Sequence, residues 1–211
     1  MNIKTYLSRF FLVLLFVGVP TVGADTLKTY LLDIYLPTKA PFSKGKTLLV
    51  SIPKAASGFD TPALLYTCKN STNSECKGNE YELRAYRNSQ WVDTPARMLL
   101  PLLVLHLEAT GEFGSVLSAA TTPVVCELRL DTEIIRLQQV FDTQPSQVHL
   151  VLRAQLLDMV NRRVLATEVF NIIEDARPQN AEGSVRATNQ AVIRLLEELK
   201  TFLVKKVKLL D

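Results

Sequence analysis

Five side chains in this chain of 211 residues are of the types that thiol, imidazole or metal chemistry uses: Cys68, Cys76, Cys126, His106 and His149. A metal site needs several such ligands at short spacing, and a nucleophile needs a base beside it. Neither histidine has a cysteine or carboxylate at ligand spacing. His106 lies in a leucine-rich run and reads as a packed histidine. His149 alternates with Val148 and Leu150, and so faces the opposite side of a strand from them. No Gly-x-Ser-x-Gly, His-Glu-x-x-His or phosphate-cradling loop occurs. The residues nominate no catalytic set, no metal set and no cofactor. Two carboxylates could still meet in the fold, as glycosidases require, but the sequence singles out no pair.

Cys68 and Cys76 flank a polar, turn-like stretch, Lys69 to Glu75, between two strand-like runs. A disulfide clasp across that hairpin is expected; the alternative is two free thiols. Cys126 sits beside Val124 and Val125 and reads as a buried small hydrophobe.

A disulfide needs an oxidising compartment, and the first 24 residues supply one. Lys4 and Arg9 precede the apolar run Phe10 to Val17, and Val22-Gly23-Ala24 offers small residues at the positions a signal peptidase reads. This is a secretory leader with cleavage expected after Ala24. The run is short for a membrane span and is broken by Gly18 and Pro20, although an uncleaved anchor is the alternative. No cysteine stands at the cleavage site to carry a lipid. The division expected is therefore a leader over 1–24 and one domain over 25–211.

Composition narrows the partners. The chain carries a formal net charge of +3, and loss of Lys4 and Arg9 leaves 22 basic against 21 acidic side chains. A nucleic-acid-binding field is absent. The apolar fraction of 47% is ample for a core. The sequon Asn70-Ser71-Thr72 has meaning only in a eukaryotic secretory pathway.

The elements that must position these groups read as follows. Thr26 to Tyr35 is a first strand and Thr47 to Ile52 a second, each followed by a proline. Residues 54–61 form a small-residue loop. Ala63 to Cys68 and Tyr81 to Tyr86 form a hairpin, with Tyr66, Tyr81, Tyr86 and Trp91 as core and cross-strand aromatics rather than a ligand platform. A buried helix follows, capped by Asp93 or Thr94 with Pro95 in its first turn. Pro101 conflicts with it, and the helix either kinks there or divides in two. Gly111 and Gly114 end that segment. Three strands over 124–174 come next, with the last two turned back at Asp158 to Arg162. An amphipathic helix closes the chain. Ala187, Ala191, Val192, Leu195, Leu196, Leu199, Phe202 and Leu203 recur at three- and four-residue spacing. Its stripe packs on the sheet, or it docks on a partner or membrane surface, with Lys200, Lys205, Lys206 and Lys208 as the docking end. The order β-β-β-β-α-β-β-β-α argues for an α+β domain with one mostly antiparallel sheet, a central helix and a long C-terminal helix.

In this order, Thr29 to Leu32, Ser57 to Tyr66, Leu83 to Pro95, Phe113 to Val116, Leu128 to Phe141 and Arg163 to Ala166 resemble the ABC-type transport auxiliary component family. The resemblance spans roughly residues 26 to 205. It implies a periplasmic, non-catalytic accessory that works with an MCE-domain protein, an ABC permease and its ATPase. Such systems move phospholipids or other hydrophobic molecules across the cell envelope. Gly58, Tyr66, Tyr86 and Trp91 match the family pattern and are expected to be structural, with Gly58 in a conformation closed to other residues. Members are usually lipoproteins, yet Val22-Gly23-Ala24-Asp25 lacks the lipid-bearing cysteine. A soluble protein, one held by its partners and one that keeps its leader as an inner-membrane anchor all stay open, and a homo-oligomer is a further expectation among the partners. The rival readings are a soluble lipid-binding carrier and, more remotely, a secreted hydrolase.

Overall fold

The computed structural model describes residues 26–35, 38, 44–68, 76, 79, 81–120 and 125–209. The expected leader over 1–24, the mature start at Asp25, the sequon at Asn70 and Val124 lie outside the described residues.

The elements are β1 (Lys28–Tyr30), β2 (Thr47–Val50), β3 (Lys54–Ala55), β4 (Ala63–Thr67), β5 (Arg84–Trp91), α1 (Pro95–Ala109), β6 (Ser115–Ser118), β7 (Leu128–Val140), β8 (Ser146–Asp158), β9 (Arg163–Ala176) and α2 (Ala181–Val207). The fold is α+β, with one mixed sheet and its helices in two places.

Strand β7 is the axis. One of its edges pairs antiparallel with β8 along nearly its whole length, and β8 pairs antiparallel with β9. The other edge takes β2, β3 and β4 in turn, all parallel, at Leu128–Leu130, Glu133–Ile134 and Gln139–Val140. The chain from Thr47 to Thr67 therefore behaves as one strand interrupted twice. Pro53 and Pro62 have no N–H to give to a ladder, which is why the interruptions fall there. The long ladders are antiparallel and the parallel joins are short. β6 extends the sheet beyond β2, and β5 and β1 extend it beyond β4.

Both helices cover one face. Even-numbered positions of β8, from Val148 to Leu156, are fully buried, and Leu150, Leu152 and Leu156 lie opposite Leu137, Ile134 and Leu130 of β7. The stripe of α2 closes over them, with Ala191, Leu195, Leu196, Leu199 and Leu203 at 0–1% exposure. Each such leucine contributes about 1.5–3 kcal/mol by leaving water. The stripe packs on the sheet. α2 begins at Ala181, earlier than the apolar periodicity reveals, because Asn180 accepts a capping hydrogen bond from the Gly183 amide at 3.0 Å. A side chain at Gly183 has no room: its Cβ would lie 1.7 Å from the Pro178 carbonyl oxygen.

Several expectations need correction. Residues 54–61 are not all loop, since β3 pairs there with β7. The strand expected at Tyr81 starts at Arg84 and runs on to Trp91, because β1 pairs with Ser89–Trp91. The first strand shrinks to three residues. α1 is one helix through Pro101. Pro101 and Arg97, whose carbonyl loses its partner, both lie on the exposed side where water replaces the bond. Thr94 holds the N-cap position, yet neither it nor Asp93 makes a side-chain capping bond. Asp93 instead accepts from the Thr94 amide at 2.7 Å.

Candidate docking surfaces and the residues that hold them

Cys68 and Cys76 are joined as a disulfide, with Cα atoms 5.6 Å apart, and both are buried. Cys126 is a free, buried thiol, and burial pushes its pKa up. No group of three or more His, Cys, Asp or Glu among the described residues is placed to hold a metal ion.

The histidines lie apart, on different elements. His106 of α1 is 6% exposed, and its Nε2 lies 3.3 Å from Glu197 Oε1 of α2 without hydrogen-bond geometry. Burial lowers its pKa more than Glu197 raises it, with Lys200 adding to the lowering. His149 is half-buried on the outer face of the sheet, where burial and Arg136 lower its pKa against Asp142.

The hairpin aromatics divide. Tyr66 and Tyr86 meet at a tilt of 44° with 4.8 Å between centroids, and Phe141 meets Tyr66 edge-on at 5.8 Å. Trp91 is 2% exposed, inside the core. Tyr81 does not join them; at 85% exposure it stands at the rim of an outer groove. Tyr86 donates to Gln139 Oε1 at 2.7 Å, and Gln139 donates to Ser146 Oγ at 2.7 Å. The Ser146 amide donates to Gln179 just before α2. A polar chain, buried at Gln139 and Ser146, thus ties β5 to β7, β8 and the start of α2. Burial raises the Tyr86 pKa, so the phenol stays a donor. Gly58 has φ +89°, and its added Cβ would meet only Leu83 at 3.9 Å. Backbone conformation, not space, demands glycine there.

Three surfaces face outward. The uncovered sheet face carries a groove of about 500 Å³ whose walls include Ser51, Lys54, Arg129, Asp131, Glu133 and Arg153. Arg129 bonds Asp131 at 2.7 Å and Ser51 at 2.9 Å, and Arg153 pairs with Glu133 at 2.8 Å. This charged face escaped the sequence reading. Its signal was present as Arg129, Asp131 and Glu133 alternating with Leu128, Leu130 and Thr132. The second surface is the lysine end of α2. Lys200 pairs with Glu197 within the helix, and Lys208 lies 3.8 Å from Glu112. Lys205 and Lys206 instead border a groove of about 520 Å³ between α2 and β9. The third surface is the outer edge of β9, which among the described residues pairs only with β8.

This geometry provides surfaces, and the comparisons fit it. The model of a family described as the ABC-type transport auxiliary lipoprotein component matches residues 71–200. That span omits the Thr29–Leu32 and Ser57–Tyr66 segments of the resemblance and contains Leu83 to Pro95 and the rest. No curated protein matches the sequence. A crystal structure of a Xanthomonas campestris protein assigned to the DUF330 family is 20% identical, with a TM-score of 0.69 over 86% of this chain and 95% of that one. A second solved structure, described as an uncharacterized protein, is 13% identical, with a TM-score of 0.63 over 85% and 99%. These likenesses concern the fold. No helix of the described residues is long and apolar enough to cross a membrane.

Proposed function

Because this chain belongs to the ABC-type transport auxiliary lipoprotein component family, we propose that it is a non-catalytic, envelope-located accessory of an MCE-type ABC transporter for phospholipids or other hydrophobic molecules. The family match over residues 71–200 carries this reading. The sheet adds support of a physical kind. One face is sealed by two helices, whereas the other presents ion-paired side chains and an open groove. Such a face can serve as the polar, solvated rim of a contact between proteins. The expected partners are an MCE-domain protein, a permease and an ATPase. A lipid crossing an aqueous gap needs a sheltered route, since each exposed methylene costs about 0.8 kcal/mol. An accessory would cap or anchor that route.

The test is crosslinking in the native host with a C-terminal tag on the full chain, followed by affinity capture and mass spectrometry. Recovery of an MCE-domain protein together with its permease and ATPase is expected. Their absence from a well-expressed, efficiently crosslinked bait overturns the reading. Lipid in native mass spectra of the purified protein would then favour the carrier reading.

A further inference from the structure

Edge strands of natural sheets are usually short, charged or covered, because a bare edge invites another strand. β9 runs for 14 residues, pairs among the described residues only with β8, and exposes Val164, Val169 and Ile173 by 54%, 56% and 39%. Its outward-pointing groups can be identified. Arg194 of α2 donates to the Ile173 carbonyl at 3.2 Å. A helix side chain at the sheet margin reaches only a carbonyl that points away from β8. Direction alternates along a strand, so the backbone groups of Asn171, Val169 and Thr167 also point outward. Among the described residues these three have no backbone partner beyond β8.

We propose that the β9 edge is a seam for a second copy of this chain, joined antiparallel about a two-fold axis at Val169. The register follows from charge and parity. Centring on Val169 sets Val169 against itself, Thr167 against Asn171 and Glu168 against Phe170, and brings Arg163 of each copy, past the bulge at Leu165, toward Glu174 and Asp175 of the other. Centring on Glu168 opposes Glu168 to itself, and like charges directly opposite destabilise a pair. Centring on Phe170 carries Arg163 past Glu174 and Asp175 to Ala176. Centring on Asn171 opposes Glu168 to Glu174. Centring on Thr167 loses the approach of Arg163 to Glu174 and Asp175. The helix above repeats the complementarity. Val169 and Thr201 border the same groove, with Glu198 on one side of Thr201 and Lys205 on the other. The two-fold turns Glu198 of one copy toward Lys205 of its partner. A closed, isologous dimer results. This inference does not depend on the transporter reading.

Sedimentation of the full chain, exported and purified, tests the seam. A dimer is expected, with Val169→Lys weakening it at least about tenfold, since the axis sets each new cation against its copy. Far-ultraviolet circular dichroism should stay unchanged, because Val169 is exposed. Val169→Cys is expected to give a thiol-reversible dimer on non-reducing gels, as opposed residues in such a pair have Cα atoms about 5.5 Å apart. Val164→Cys is expected to stay monomeric there. Cys68 and Cys76 are bonded and Cys126 is buried, so the background is low. A wild-type monomer, a dimer indifferent to Val169→Lys, or equal crosslinking at Val164 overturns the proposal. If Val169→Lys fails to fold, the two cysteine variants decide the matter.

Discussion

The Tyr86 hydroxyl donates to Gln139 Oε1 across 2.7 Å, and Gln139 is 0% exposed. The bond links the middle of β5 to the end of β7, elements that do not neighbour each other in the sheet order. Removing the hydroxyl leaves a buried acceptor unpaired. Tyr86→Phe should therefore cost about 1–3 kcal/mol, more than a surface hydrogen bond. Urea denaturation checks this, and a loss below about 0.5 kcal/mol would show that the Gln139 amide finds another donor.

Trp91 lies in the core at 2% exposure, and its amide donates to the Pro62 carbonyl at 2.7 Å. Trp91→Ala should destabilise the protein by about 3–5 kcal/mol through lost transfer and the cavity left behind. The backbone bond survives the change, so the measured loss reports the ring. Thermal and urea unfolding give the figure.

The Cys68–Cys76 bridge closes a short loop, with a sequence separation of 8. The chain-entropy account assigns it about 2.5 kcal/mol, acting on the unfolded state. Cys68→Ser paired with Cys76→Ser should lose about that much. Alkylation of the unreduced, denatured wild type should label Cys126 alone, as mass spectrometry will show.

Stability should fall as pH drops below the unfolded histidine value of 6.5. Both histidines have folded pKa values below that value, so the unfolded chain binds more protons in this window. Their contribution is present above it and is lost on acidification through it. Glu197 and Lys200 of α2 face His106 with opposing effects, and burial outweighs them. His106→Gln cannot charge, so its melting temperature should drop less than that of the wild type between about pH 7.5 and 5.5. Equal drops would place the effect at His149.

The amino-acid sequence by itself determined the covered face of the fold. Leucine spacing marked α2, alternation marked β7, β8 and β9, and Pro53 and Pro62 marked where a strand must break. Those signals are local, and hydrophobic periodicity reports them without knowledge of partners. Trp91 was legible as a core aromatic near the hairpin, and the left-handed Gly58 only through the family resemblance. The Cys68–Cys76 pairing was legible because its turn is short. Tertiary structure alone decided the rest. β3 and β6 are too short to carry a pattern and exist because β7 and β2 offer them an edge. The parallel approach of Thr47–Thr67 to β7, the meeting of His106 with Glu197, and the exclusion of Tyr81 from the aromatic cluster are long-range events. Which strand ends with a free edge is also a property of the whole sheet. β9 reads like β8 in sequence, and only the absence of a neighbour among the described residues makes it a surface.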